Sequence, residues 1–190
     1  MNGEWCFFKS YLSKEKCKKI IELAKNIPEQ EAKVGLNDSS RLSDTRRSKI
    51  KFIETYNHDY EFLFDLLWKT ARQANNDFFN FHISRLNYIQ LAEYHSNYKG
   101  EYQDHHDVFW MNGDPMYHRK LSCIIQLTDH NEYEGGEFEL IDTDNKPAQS
   151  DIKQQGTIIF FPSFYLHRAK PVTAGVRHSI AAWFDGPKWR

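Results

Sequence analysis

The chain has little of what would tie it to a membrane, a nucleic acid or an oxidising compartment. Its 190 residues include three cysteines, Cys6, Cys17 and Cys123. They are odd in number, widely spaced and set in apolar or helical surroundings. They therefore read as reduced, buried thiols and exclude a disulfide framework or zinc knuckle. No run of about eighteen apolar residues occurs, so no membrane span is expected. The net charge is −1 and the pI about 6.8. Neither predicts a nucleic-acid or membrane-surface footprint. Met1 to Lys9 contains Glu4 and lacks a basic region followed by an apolar one. The expectation is therefore no signal peptide and a cytoplasmic location, the host cytoplasm if the chain is viral. Internal repeats, low-complexity tracts and linkers are also missing. Hydrophobic residues make up 40% and aromatics 15%, enough to build a core for one domain over residues 1–190.

The order of patterns along the chain predicts the architecture. Ser13 reads as a helix N-cap with Leu12 and Cys17 as a hydrophobic staple. Cys17, Ile20, Ile21 and Ala24 then recur at helical spacing until Pro28 ends the pattern. Residues 29–48 are polar and long for a plain connection, so 34–48 is a candidate lid. Ile50 to Ile53 reads as a short strand. A second helix is expected from about Asp59 to Phe78, with Phe62, Leu63, Leu66, Leu67 and Ala74 on its apolar face. From Phe81 to Tyr94 the period changes to that of a strand. Further strands are expected at 104–110, 120–128, 136–141, 156–161 and 176–184. Turn residues separate them at Asn112 to Pro115, Gly135-Gly136, Asp142 to Asn145 and Ala174-Gly175. Helices followed by a run of strands, without alternation, predict an α+β fold with a mainly antiparallel sheet pair.

Among the strands stands a constellation with chemical meaning. Side chains alternate along a strand, so His105 and Asp107 point one way and His106 the other. His167 follows the apolar run Ile158 to Phe161 and Pro162, at a strand end suited to a barrel mouth. Two imidazoles and one carboxylate can occupy one face of a metal octahedron, leaving three positions open, which suits non-haem Fe(II) better than structural zinc. Arg177, Ser179 and Trp183 share a face of the last strand. A buried Arg177 needs an anion, and a bound dicarboxylate would supply it. His95 is the next candidate ligand; His118 and His178 read as structural or surface residues. Tyr98, Tyr102, Phe109, Trp110, Tyr117 and Trp183 could wall the site, with Phe109 read as core.

These residues carry a resemblance. Tyr94, Gly100, Tyr102, His105-His106-Asp107, Leu121-Ser122, Gln126-Leu127, Tyr133 to Glu137, Phe160 to Ser163, His167-Arg168, Pro171-Val172, Gly175, Arg177, Ser179 and Trp183 resemble the prolyl 4-hydroxylase-like branch of the Fe(II)/2-oxoglutarate dioxygenases. PKHD-type hydroxylases and their phage-borne relatives are the nearest likeness. It covers about Gln90 to Arg190; Arg46-Arg47-Ser48 before a strand and the two helices fit it loosely.

The resemblance implies a double-stranded β-helix, or jelly roll, over about 81–190, with helical support from about 1–80 packed on one sheet. It implies His105, Asp107 and His167 as iron ligands and Arg177 as partner of the 2-oxoglutarate C5 carboxylate. Tyr94 and Ser179 fall in the cosubstrate pocket, and Arg119, Trp183 and Tyr102 on the substrate side. Gln126 stands where some relatives place a tyrosine on that carboxylate, and Arg177 where collagen-type enzymes place Lys. The implied activity is hydroxylation of a peptidyl proline, of the procollagen-proline 4-hydroxylase type. It is coupled to decarboxylation of 2-oxoglutarate to succinate, with Fe(II), O2 and ascorbate as reductant. The implied partner is a peptide or protein substrate, and the chain a monomer or homodimer. A second reading keeps the chemistry and changes the substrate to a free amino acid, small metabolite or nucleobase. A third is a non-catalytic jelly-roll binding module. A zinc hydrolase would leave Arg177 without a purpose.

Overall fold

The computed structural model describes residues 3–31, 45–110 and 113–189. Most of the candidate lid, residues 34–44, lies outside them.

The N-terminal part folds as its pattern predicts and adds strands that the pattern hides. A strand β1 (Cys6–Phe8) precedes helix α1 (Lys14–Leu23), whose cap Ser13 accepts a hydrogen bond from the Lys16 amide. After β2 (Gln30–Glu31), β3 (Arg46–Arg47) and β4 (Lys49–Glu54) comes α2 (Glu61–Ala74). Helix α2 widens into a π turn over Asn75–Phe79 and stops at Asn80, which adopts a left-handed conformation (φ 54°). The stretch from Phe81 does not continue as strand. Its backbone bonds instead to the Asn75 side chain and to Asp185, and β5 begins only at Tyr88 (Tyr88–His95).

The remaining strands are β6 (Glu101–His105), β7 (Tyr117–Gln126), β8 (Tyr133–Gly135) and β9 (Phe138–Leu140). A short helix α3 (Gln149–Ile152) precedes β10 (Ile158–Pro162), β11 (His167–Ala169) and the long β12 (Val172–Pro187). The expected strand at 104–110 is displaced toward the N-terminus, and Asp107 lies just beyond its end.

Among the described residues these strands form two antiparallel sheets. The larger runs β1-β10-β7-β12-β5-β4-β2, with β8 attached to β12; the smaller runs β3-β6-β11-β9. This is the two-sheet jelly roll expected, with one difference. Strands β1 to β4 belong to the sheets, so residues before 80 supply more than helical support.

Alternation on the large sheet divides the core. Ile89 and Leu91, Leu121, Cys123 and Ile125, and Ile180, Ala182 and Phe184 face the helices, meeting Cys17, Ile20, Leu63, Leu67 and Ala71. The opposite face looks across to the small sheet through Ala92, Tyr94, Ile159 and Phe161, against Ala169, Phe138 and Leu140. At roughly 25 cal/mol per Å² of apolar surface removed from water, both layers stabilise the sandwich. The three cysteines are buried and free, as expected. No described helix is long and apolar enough to cross a membrane.

Candidate metal centre

The site sits between the sheets, and a bulge builds it. Strand β6 pairs with β11 so that His105 faces His167 and Tyr102 faces Ala169, and between these pairs Gln103 and Asp104 on one strand oppose the single Arg168 on the other. The extra residue breaks the alternation. Tyr102 and His105 therefore share a face despite their odd spacing, with ring centroids 3.4 Å apart and planes 12° from parallel. Gly100 makes the preceding turn possible, since a Cβ there would lie 2.7 Å from the His95 amide nitrogen.

Three donors converge. The Nε2 atoms of His105 and His167 lie 3.8 and 3.5 Å from the two Asp107 oxygens. One ligand atom from each of the three residues falls within 4.8 Å of the others, so the three could hold one metal ion. The imidazoles are preset for this. Nδ1 of His105 contacts the Gln103 carbonyl at 2.7 Å and Nδ1 of His167 the Tyr165 carbonyl at 2.9 Å, turning Nε2 inward. Burial, with His167 next to it, pushes His105 down to about 3, so it stands as a neutral donor. Burial works to raise the Asp107 carboxyl, but the imidazoles, Arg119 and a hydrogen bond from Ser122 outweigh it and hold it low. The Ser122 hydroxyl bonds Asp107 Oδ2 at 2.6 Å and is itself 2.9 Å from the Ser163 hydroxyl. His106 points away and contacts the Phe164 carbonyl.

The facing wall comes from β12 and β5. Arg177, Ser179 and Trp183 line the same cavity as the three donors, together with Tyr94, Tyr102 and Gln90. Arg177 is 2% exposed, yet among the described residues no carboxylate pairs with it and its Nε has no hydrogen-bond partner. Gln126 Oε1 is likewise buried and makes no hydrogen bond among the described residues. Burial raises Tyr133 although Arg177 opposes it, so the phenol keeps its proton. Gly136 (φ 64°) leaves the room, for a Cβ there would lie 2.9 Å from Arg177 Cδ and 3.3 Å from the Tyr133 ring. Buried polar atoms without partners are costly. A donor set open on one side, faced by an unpaired guanidinium, fits Fe(II) with a dicarboxylate.

Arg119 and Trp183 stand at the rim. The guanidinium stacks 3.9 Å from the Trp183 ring and donates to the Tyr88 hydroxyl at 2.9 Å. Trp183 also lines an open cleft of about 440 Å³ with Tyr88, Phe109, Tyr117, Arg119 and Asp185. Phe109 is a correction to its reading as core: it is 43% exposed and borders this cleft. His95 turns elsewhere and caps the Asn97 amide. His178 pairs with Glu93 and Thr128, and His118 contacts the Trp189 amide.

Residues outside the sequence-based site set include Ser122, Gln90 and Arg46. Ser122 and Gln90 lie within strand patterns that look like ordinary core. Arg46 is 5% exposed, and it lines the cavity while its neighbour Arg47 turns out to pair with Glu101.

Comparison with known proteins gives the family and the fold. Residues 89–185, about half of the chain, match the 2OG-Fe(II) oxygenase superfamily. A PKHD-type hydroxylase of Aliarcobacter butzleri is 38% identical over 90 residues, which are 45% of this chain and 38% of that protein. One from Xylella fastidiosa strain M12 is 45% identical over 65 residues, 34% of this chain and 26% of that protein. The match thus spans well under half the length of these curated relatives. In overall fold the chain resembles the viral collagen prolyl hydroxylase of Paramecium bursaria Chlorella virus-1, solved with 2OG. That likeness has a TM-score of 0.69 at 19% identity and covers 97% of both chains. A Trichoplax adhaerens prolyl hydroxylase, solved with a hypoxia-inducible-factor peptide fragment, gives 0.73 at 18% identity over 95% of this chain and 83% of that one.

Proposed function

The chain belongs to the 2OG-Fe(II) oxygenase superfamily, and we propose that it hydroxylates a prolyl residue of a peptide or protein while converting 2-oxoglutarate to succinate. One observation carries the reading: His105, Asp107 and His167 converge on one side of a cavity whose other side holds Arg177, buried and without an acid partner among the described residues.

Each residue then has a task. His105, Asp107 and His167 would hold the iron on one face. Arg177 would take the far carboxylate of 2-oxoglutarate, with Tyr94 and Ser179 walling the pocket. The iron and cosubstrate supply the oxidising power when bound, with O2 as oxidant and ascorbate restoring the ferrous state. Ser122 holds one Asp107 oxygen, so the carboxylate presents the other. The β-sandwich walls keep bulk water from the centre. The cleft beside Trp183 would receive the substrate, with Tyr88, Phe109 and Tyr117 offering faces for a pyrrolidine ring and Arg119 closing the boundary.

The test is succinate release from 2-oxoglutarate with Fe(II) and ascorbate, stimulated by proline-rich peptides or by a panel of free amino acids, small metabolites and nucleobases. Stimulation by the peptides, with a mass gain of one oxygen on the peptide, is expected. Stimulation confined to the panel would move the substrate assignment. Turnover that survives His167→Ala would refute the metal assignment.

A further inference from the structure

The cavity holds one more positive charge than the oxygenase reading uses. Arg46, on β3, enters from the small sheet, while Arg177 enters from the large one. Its Nε donates to the Ser48 hydroxyl at 2.8 Å, and its guanidinium carbon lies 4.3 Å from the centre of the Tyr102 ring. Its NH2 nitrogen is buried and makes no hydrogen bond among the described residues, and no described carboxylate pairs with it. Gln90, an uncharged side chain that also lines the cavity, cannot neutralise it. Arg168, which also borders the cavity, is satisfied by Glu139 and Asp104.

Charge bookkeeping turns this into chemistry. The two carboxylates of 2-oxoglutarate match the two charges of a ferrous ion, and Asp107 offsets one guanidinium. Among the described residues the other is left uncompensated in a buried site, where an unpaired charge is strongly disfavoured. A guanidinium is never deprotonated in a protein, so the balance has to come from an anion.

We propose that Arg46 receives an anionic group of the primary substrate, a carboxylate lying beside the carbon that is hydroxylated. The inference rests on the oxygenase reading and narrows its substrate. The carboxylate comes either from a free amino acid or chain terminus, or from an acidic residue next to the reacting one in a peptide. Tyr102, stacked between Arg46 and His105, fixes the distance from anion to metal centre. Arg46 thus acts in selecting the substrate.

The test uses the Mn(II)-loaded protein with saturating 2-oxoglutarate, so that binding is read without turnover. Binding of 2-oxoglutarate is measured first, by calorimetric titration; its absence would sink the parent reading alone. Two matched pairs of probes follow: N-acetyl-proline against N-acetyl-prolinamide, and acetyl-Pro-Asp-amide against acetyl-Pro-Asn-amide. In at least one pair the carboxylate member should bind about tenfold tighter or more, as a desolvated charge pair does. The pair that shows the preference identifies the source of the anion. Arg46→Gln should remove the preference and Arg46→Lys should keep most of it. Equal affinities within both pairs, or no binding of either carboxylate probe, would overturn the proposal. So would a preference unchanged in a folded Arg46→Gln protein.

Discussion

Replacing Arg177 by Met separates a binding residue from a structural one, because the two roles predict opposite signs. Arg177 is 2% exposed and its Nε is unpartnered among the described residues. A structural arginine in that position would hold an ion pair, and breaking a buried pair costs about 3–5 kcal/mol. Here no described carboxylate is left behind. Exchanging an uncompensated guanidinium for an apolar side chain of similar length should change stability little, or raise it by about 1–4 kcal/mol. Binding should move the other way. Two charge-assisted bonds to the far carboxylate, at about 1.5–3 kcal/mol each, total roughly 3–6 kcal/mol, or a hundredfold to ten-thousandfold in affinity. Urea unfolding of the metal-free protein reads the first quantity, and titration of 2-oxoglutarate into the Mn(II) form reads the second. A variant destabilised by more than about 2 kcal/mol that keeps its 2-oxoglutarate affinity would refute the reasoning.

Other perturbations follow from the same geometry. Ser122→Ala removes the 2.6 Å bond to Asp107 Oδ2 and should weaken Mn(II) affinity about 10–100-fold, measured by titration, with little change in secondary structure. Gly136→Ala forces a Cβ to within 2.9 Å of both Arg177 Cδ and Val172 Cγ2 at a φ of 64°. It should cost about 2–4 kcal/mol in urea unfolding, from left-handed strain plus overpacking, and weaken 2-oxoglutarate binding. Unchanged values for both would show that the cradle is not tight. The metal-free protein should also lose stability in acid. His105 is held at about 3 against an ordinary 6.5, so the unfolded chain takes up a proton in that window that the folded chain does not. Stability therefore rises with pH across the window and falls on acidification through it. A urea midpoint unchanged between about pH 7 and pH 5 would contradict this.

The parts of the fold that obey a period were legible in the sequence. Ser13, Leu12 and Cys17 marked the start of α1, and the faces of β12 followed from alternation, placing Arg177, Ser179 and Trp183 together. Elements too short to show a period were not. Strands β1 and β11 have three residues each and β3 two, and all are held by neighbours distant in sequence. The stretch from Phe81 has the composition of a strand but gives its hydrogen bonds to Asn75 and Asp185. Alternation brought His105 and Asp107 together for an incomplete reason. Strand β6 ends at His105, and Asp107 reaches the same side from the loop beyond, tied through its amide to the Ser163 carbonyl. Arg46 stayed hidden because its burial depends on a two-residue strand that no local pattern reveals.

The central claim is one ferrous centre faced by a dicarboxylate. Its most direct test is the absorption spectrum of the protein on anaerobic addition of Fe(II) and then 2-oxoglutarate. The account predicts a weak visible band that needs both additions and disappears in a folded His167→Ala protein. A spectrum that stays flat when both are present would contradict it.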